Sequence, residues 1–355
     1  MNSKHPVLIL IPSFSIGGAE KVINTIIHHL PIHIFDLHVC TIYKTTHFFE
    51  CPNHIHLYEI NSNRLISALP SVLKIINQKP FKLVLSCLAH LNMGLLLLKP
   101  FLKYKPKIVI REGSVIQENL KNEPYPVLMH YLYKKLYKKA DRIICQSDYM
   151  QNELTTLFNI PVTKCKVIYN PVNFNNEKTE NPYKHKKHLN LLCVGRLDLV
   201  KQFSKAIEQL QQWVVQEKSI HLTIIGDGPL KKPLSNLTKK LHIEPYVTFT
   251  GPLKDIQAYY QYANGFICCS LYEGLPNVLL EAISNKTPIF VLKHKGGAKE
   301  VLEKCGLSNA YHTHFPTLEK AFQPITESSY QAAKSLLSLD KIVEEYSTTI
   351  ETTIG

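Results

Sequence analysis

The 355-residue chain contains no C-x-x-C pair, and its cysteines, nine in all, are odd in number. Several of them, Cys40, Cys145, Cys193 and Cys268, sit inside apolar runs that read as strands. That distribution excludes a disulfide framework and points to a reducing, cytoplasmic compartment. Long apolar runs are missing too. The stretch LNMGLLLLKPFL, residues 91–102, is interrupted by Lys99 and Pro100 and is too short to span a bilayer. Residues 7–11 are apolar but lead straight into a glycine loop, so they predict a buried first strand instead of a secretory signal. There is no low-complexity tract, no internal repeat beyond the domains themselves, and no nucleic-acid recognition motif. Histidine is abundant, but His28-His29, His54-x-His56 and His312-x-His314 lack a carboxylate or cysteine at ligand spacing, so no metal site is expected.

What the chain does have is positive charge, unevenly placed. Residues 1–170 hold 20 Lys and Arg against 10 Asp and Glu, a balance of +10, whereas the remainder holds 21 against 18, or +3. Part of the excess lies in YLYKKLYKKADR, where Tyr131, Tyr133, Leu136 and Tyr137 interleave with Lys134, Lys135, Lys138 and Lys139. A basic helix bearing aromatics suits an anionic membrane surface; the alternative is an ordinary solvated face.

Length predicts two domains, each with its own core. In the first, strands at 6–11, 34–42, 55–60, 82–86, 107–111 and 142–145 alternate with helices at 18–30, 65–77 and about 125–139. Such alternation predicts a parallel sheet covered on both faces. The polar stretch EKTENPYKHKKH, 177–188, reads as a linker, giving a first domain over 1–172 and a second over 173–336, with the linker in 175–188. Apolar residues at 336, 339, 342, 343 and 346 then predict a terminal helix over about 337–355.

Most of the chemistry is concentrated in YEGLPNVLLE, residues 272–281. Gly274 allows backbone to approach a ligand, Leu275 follows, and Pro276 suits the first position of a helix. The amides of Asn277 and Val278 would then face outward as anion donors, a seat for phosphate. Glu281, one turn on, would accept two hydrogen bonds from a vicinal diol such as ribose, and Glu273 would lie before the helix, near whatever the phosphates carry. Upstream, NLLCVGRLDLVKQFSKAIEQL predicts a buried strand, a Gly195-Arg196 turn and an amphipathic helix, so Arg196 and Lys201 emerge together at a strand's carboxyl end. Ligands bind there in open α/β sheets, and two cations suit a diphosphate; the alternative is a structural pairing with Asp198 or Glu208. The Gly-Asp-Gly turn at 226–228 is a weak dinucleotide signal, having no third glycine.

Taken in order, these segments resemble the nucleotide-sugar domain of the retaining family-4 glycosyltransferases of GT-B architecture. IPSFSIGGAEKVINTI, ADRIICQSDYM and VIYNPVN resemble the family's amino-terminal glycine loop, its last strand-to-helix passage and its interdomain junction. The resemblance implies two Rossmann-like parallel-sheet domains facing across a cleft, with the terminal helix crossing back to the first. It implies transfer of a sugar from a nucleotide diphosphate donor, a UDP-sugar by expectation, to a hydroxyl of a lipid-linked glycan, lipopolysaccharide or capsule-type acceptor at the inner face of the cytoplasmic membrane in bacteria. Arg196 and Lys201 would stabilise the departing diphosphate, with Glu273 at the donor sugar. Gly17 and Gly18 would approach the diphosphate, and Gly251 and Leu253 belong to the loop beneath the base. His90 and Arg111 are weaker candidates for the sugar or acceptor side. No Asp-x-Asp occurs, the device with which the other large glycosyltransferase architecture holds a divalent ion, so no metal or other cofactor is expected. Two alternatives remain: a sugar-nucleotide epimerase of the same architecture, and a non-catalytic protein of that fold that binds polyanions.

Overall fold

The computed structural model describes residues 4–15, 17–44, 50–174, 177–184, 187–217 and 219–355. They form two compact units, one of residues 1–171 with 339–355 and one of residues 172–338.

The first unit is built on seven parallel strands: β1 His5–Ile11, β2 Phe35–Tyr43, β3 His56–Ser62, β4 Leu83–Cys87, β5 Lys107–Arg111, β6 Arg142–Cys145 and β7 Cys165–Val167, in the spatial order 3-2-1-4-5-6-7. Central strands of a sheet covered on both faces cannot alternate polar with apolar. Hence Val7, Leu8, Ile9, Leu83, Val84 and Leu85 are all fully buried, whereas edge strand β3 shows side chains to solvent. The apolar run at 91–102 contributes a helix the pattern did not announce, Ala89–Leu98, buried on almost every side and therefore without a 3.6-residue period. Its cap, Leu88, has φ 77° and ψ 139°, a strained conformation for a branched residue.

The second unit holds six parallel strands: β8 Leu189–Val194, β9 Ile220–Ile225, β10 Val247–Gly251, β11 Gly265–Cys268, β13 Ile289–Leu292 and β15 Tyr311–His312, in the order 10-9-8-11-13-15. A separate two-stranded ribbon pairs β12 Tyr272–Glu273 with β14 Lys295–Gly296. Part of the expected linker, residues 175, 176, 185 and 186, lies outside the described residues. The described stretch 177–184 is packed on the second unit: Tyr183 is buried and its hydroxyl donates to Tyr259 O at 2.8 Å, and Thr179 bonds Gln261.

The helical period expected from residue 336 onward divides into two helices, Glu327–Leu337 and Leu339–Ile354. Ser338, at φ −59° and ψ 145°, leaves helical geometry and separates them. Leu336 therefore belongs to the earlier helix, and the change of unit falls between 338 and 339. The last helix packs on the helix Gly18–His29 and on β5, burying Ile342, Tyr346 and Ile350. No helix among the described residues is long and apolar enough to cross a membrane.

Candidate active site

At the carboxyl end of β8 the chain turns at Gly195, whose φ of 149° favours glycine. The turn is laced to its neighbours by Gly195 N to Ile225 O, Leu197 N to Asp227 O and Gly226 N to Gly251 O, each 3.0 Å. A Cβ on Gly226 would lie 1.9 Å from Gly195 O, and one on Gly228 would lie 2.5 Å from Leu197 O. The Gly-x-Gly at 226–228 is thus accounted for by close packing of loop on loop, which explains why its third glycine is dispensable. Asp198 Oδ1 then accepts the Val200 and Lys201 amides at 3.0 and 3.1 Å, an Asx turn that fixes where Lys201 leaves the backbone.

Lys201 does not stand alone. Its ammonium donates to Glu273 Oε1 at 2.9 Å, and the Ser270 hydroxyl donates to the same oxygen at 2.6 Å. The two side chains are only 18% and 15% exposed. Burial works to raise the Glu273 carboxyl, yet the Lys201 charge and the Ser270 hydroxyl hold it below its ordinary value. Burial likewise works against the Lys201 ammonium, but Glu273 holds it above the ordinary lysine value. Both groups are charged across the neutral range. Arg196 differs sharply: its side chain is 73% exposed, with Nε a loose 3.8 Å from Asp198 Oδ2. One cation is locked into the site, and the other is free to swing toward an incoming anion.

Glu273 is held from behind by the ribbon. It pairs with Gly296, where a Cβ would lie 1.6 Å from Glu273 O, and Gly297 N donates to Gly274 O at 2.9 Å. Gly274, Leu275 and Pro276 follow, all buried. Pro276 caps the helix instead of opening it: the helix runs Asn277–Ser284, and its hydrogen bonds begin with Leu279 N to Pro276 O at 3.0 Å. The ψ of 103° at Pro276 is extended, which moves the helix start one residue beyond the expected place and leaves Asn277 and Val278 in its first turn. Glu281, on the next turn and half-buried, accepts from the hydroxyl of fully buried Tyr260 at 3.0 Å. That bond fixes the carboxylate's direction. At the end of β10, Gly251 has φ 77° with nothing within 4 Å of its Cβ position, and Leu253 beyond it is exposed.

The first-unit candidates fare differently. Gly17 caps the helix Gly18–His29 in extended conformation, and a Cβ there would meet Glu20 Oε2 at 2.0 Å. The carboxylate of Glu20 already lies at this helix end, where burial pushes its pKa up. His90, at the start of the helix after strained Leu88, is exposed, with its ring 5.9 Å from that of Tyr43. Arg111 requires a correction. It is wholly buried, its Nε donating to the Tyr346 hydroxyl at 2.9 Å and Nη2 to Asn170 Oδ1 at 2.7 Å. Standing at a strand's carboxyl end did not expose it, because the terminal helix covers that end; Arg111 ties β5 to the helix and reaches no ligand surface.

Asp36, His38 and His56 bring ligand atoms within 4.8 Å of one another, a carboxylate partner for His56 that sequence spacing concealed. Lys79 occupies the place of a cation there, its ammonium 2.9 Å from Asp36 Oδ2 and 2.8 Å from His38 Nε2. Sequence reading also missed Ser270 and Tyr260, which orient the two glutamates; neither sits in a pattern that separates it from other serines and tyrosines.

Two facing sheets of this topology, each all-parallel, with a cation-carboxylate cluster at the strand ends of the second, define the GT-B class. Residues 16–176 match the family model described as Glycosyltransferase Family 4, and residues 175–324 match that described as Glycosyl transferases group 1. The chain belongs to this glycosyltransferase family. The amylovoran biosynthesis glycosyltransferase AmsD of Erwinia amylovora is 25% identical over 315 residues, 87% of each chain. The N-acetylgalactosamine-N,N'-diacetylbacillosaminyl-diphospho-undecaprenol 4-alpha-N-acetylgalactosaminyltransferase of Campylobacter jejuni is 26% identical, covering 95% of this chain and 92% of the relative. Among solved structures, Anabaena Alr3699/HepE in complex with UDP-glucose shares the fold, with TM-score 0.74 at 18% identity over 98% of this chain and 99% of that one.

Proposed function

We propose that this glycosyltransferase acts with retention, moving a hexose-type sugar from a UDP-sugar to a hydroxyl of a lipid-linked or surface-polysaccharide glycan at an anionic membrane face. The observation that carries the reading is the Lys201–Glu273–Ser270 cluster beside exposed Arg196, with Tyr260-braced Glu281 on the following helix. Lys201 has three donors and gives one to Glu273, which leaves two for diphosphate oxygens while Arg196 swings in with a planar fork. Glu281 receives the ribose hydroxyls, and the second oxygen of Glu273 addresses the sugar. The bond from the anomeric carbon to the phosphate oxygen breaks, its electron pair leaving with UDP. The acceptor oxygen bonds to that carbon from the same face, and its proton passes to the departing phosphate oxygen. Fixed positive charge on the leaving group favours the transition state over the ground state. The Erwinia and Campylobacter relatives, whose names place them in amylovoran and undecaprenol-linked glycan assembly, support the acceptor class.

A panel of UDP-, GDP- and ADP-sugars tests the donor. UDP-sugars alone are expected to be hydrolysed and to raise the melting temperature. Hydrolysis should persist in EDTA, because the cations that stabilise the leaving group belong to the protein. Loss of activity restored by magnesium or manganese would refute that electrostatic account.

The membrane reading shifts to different residues from those the sequence suggested. Tyr133, Leu136 and Tyr137 point into the core, and of that set Tyr131 alone is exposed. The outward apolar side chains lie at the amino end of the helix Pro126–Leu136, where Val127 is 83% and Tyr125 71% exposed beside Leu128. Exposed Lys135, Lys138 and Lys139 follow them. Each lysine near an anionic surface contributes about 1 kcal/mol, screened over about 8 Å at physiological salt. Changing Lys134, Lys135, Lys138 and Lys139 to glutamine should weaken sedimentation with anionic liposomes and leave hydrolysis of the soluble donor intact. Equal sedimentation of variant and parent would reduce the patch to solvated surface.

A further inference from the structure

His294 lies on the segment between β13 and β14, two residues before the glycine that backs Glu273. Its backbone is gripped from both sides by a single hydroxyl: His294 N donates to Tyr311 Oη at 3.0 Å, and Tyr311 Oη donates to His294 O at 2.6 Å. The ring is equally constrained. Nδ1 lies 2.8 Å from Leu292 O, and since a carbonyl only accepts, Nδ1 carries the proton and Nε2 is left as a bare acceptor. The residue is 9% exposed, and its Nε2 is buried with no hydrogen-bond partner among the described residues. Burial draws the imidazole below its ordinary value, with the Lys201 charge acting in the same sense and the Glu273 charge opposing, so the ring is neutral at pH 7. Buried acceptors are seldom left unpaired in a folded protein, least of all on a side chain held this firmly.

We propose that His294 is a donor-specificity residue, whose Nε2 accepts a hydrogen bond from one hydroxyl of the transferred sugar beside the Lys201–Glu273 pair. The proposal rests on the reading of that pair as the donor seat. A neutral acceptor at this point favours a sugar that presents a hydroxyl to it and disfavours one that presents another acceptor or an apolar substituent. It does not touch the nucleotide, so its contribution is separable from that of Arg196.

The test compares the parent with His294→Phe and His294→Gln, measuring UDP affinity by calorimetry and hydrolysis of UDP-glucose, UDP-galactose, UDP-N-acetylglucosamine and UDP-N-acetylgalactosamine. UDP affinity should be retained in both variants. His294→Phe should raise KM for the preferred donor and flatten the preference among the four by about tenfold, the ordinary effect of one lost hydrogen bond in a buried site. His294→Gln, which offers an amide oxygen, should recover part of it. Unchanged preference and KM in His294→Phe would overturn the proposal. Should the variants fold poorly, nitrogen-15 histidine spectra of the parent decide: the Nε2 resonance should move upfield with the UDP-sugar and stay put with UDP alone, and equal responses would overturn it. Absence of UDP binding by the parent would instead remove the donor seat itself.

Discussion

Replacement of Arg196 by alanine is expected to lower turnover of the UDP-sugar about 10²–10³-fold, the usual effect of removing one donor from a developing anion. Stability should hardly move. The side chain is 73% exposed and only loosely paired with Asp198, and surface substitutions of that kind stay within about 0.5 kcal/mol. Turnover and denaturant midpoint measured on one preparation check both halves of the statement. Near-parental turnover would take Arg196 away from the leaving group.

Lys201→Ala should behave differently, although the two cations stand five residues apart. Removing the ammonium leaves Glu273 charged and largely buried, a loss of about 3–5 kcal/mol when a buried pair is broken from one side. Both turnover and stability should fall. Lys201→Met with Glu273→Gln should recover most of the stability while leaving turnover low, and a double-mutant cycle measures the coupling directly. The pH dependence follows from the directions already given. Glu273 is held below its ordinary 4.5, so the stabilisation is complete above that pH and fades as acid falls through the lowered value. Lys201 is held above its ordinary 10.5, so at the alkaline end the same stabilisation is complete below 10.5 and fades as pH rises through the raised value. Equal stability of parent and Lys201→Ala at pH 7 would mean that Glu273 does not depend on its counter-ion.

The strand-and-glycine grammar of this chain could be read directly, because a buried parallel strand must be an apolar run and a tight turn at its end must be glycine. The EGLPNVLLE segment was legible for the same reason. What stayed hidden were choices of partner. Lys201 and Glu273 are 72 residues apart and each was assigned its own ligand, since spacing says nothing about which charges meet in the fold. Arg111 and Tyr346 are 235 residues apart, and only the path of the last helix decides that the arginine is enclosed. The 89–98 helix lacked a period because it is buried all round, and the Tyr-Lys helix had one whose apolar side faced inward, so its outward residues had to be found from exposure. Pro276 was misplaced by one position because proline serves at a cap as readily as in a first turn.

The break at Ser338 also sets an order of events during synthesis. Residues 339–355 complete the first unit, yet they are translated only after the whole of residues 172–338. At ordinary elongation rates the amino-terminal sheet waits on the order of ten seconds for its last helix. Through that interval the guanidinium of Arg111 has no Tyr346 to receive it, and the seat of the helix on β5 stands open to water. The nascent chain is therefore most exposed to chaperones and to mispairing at the face that the finished protein conceals most completely.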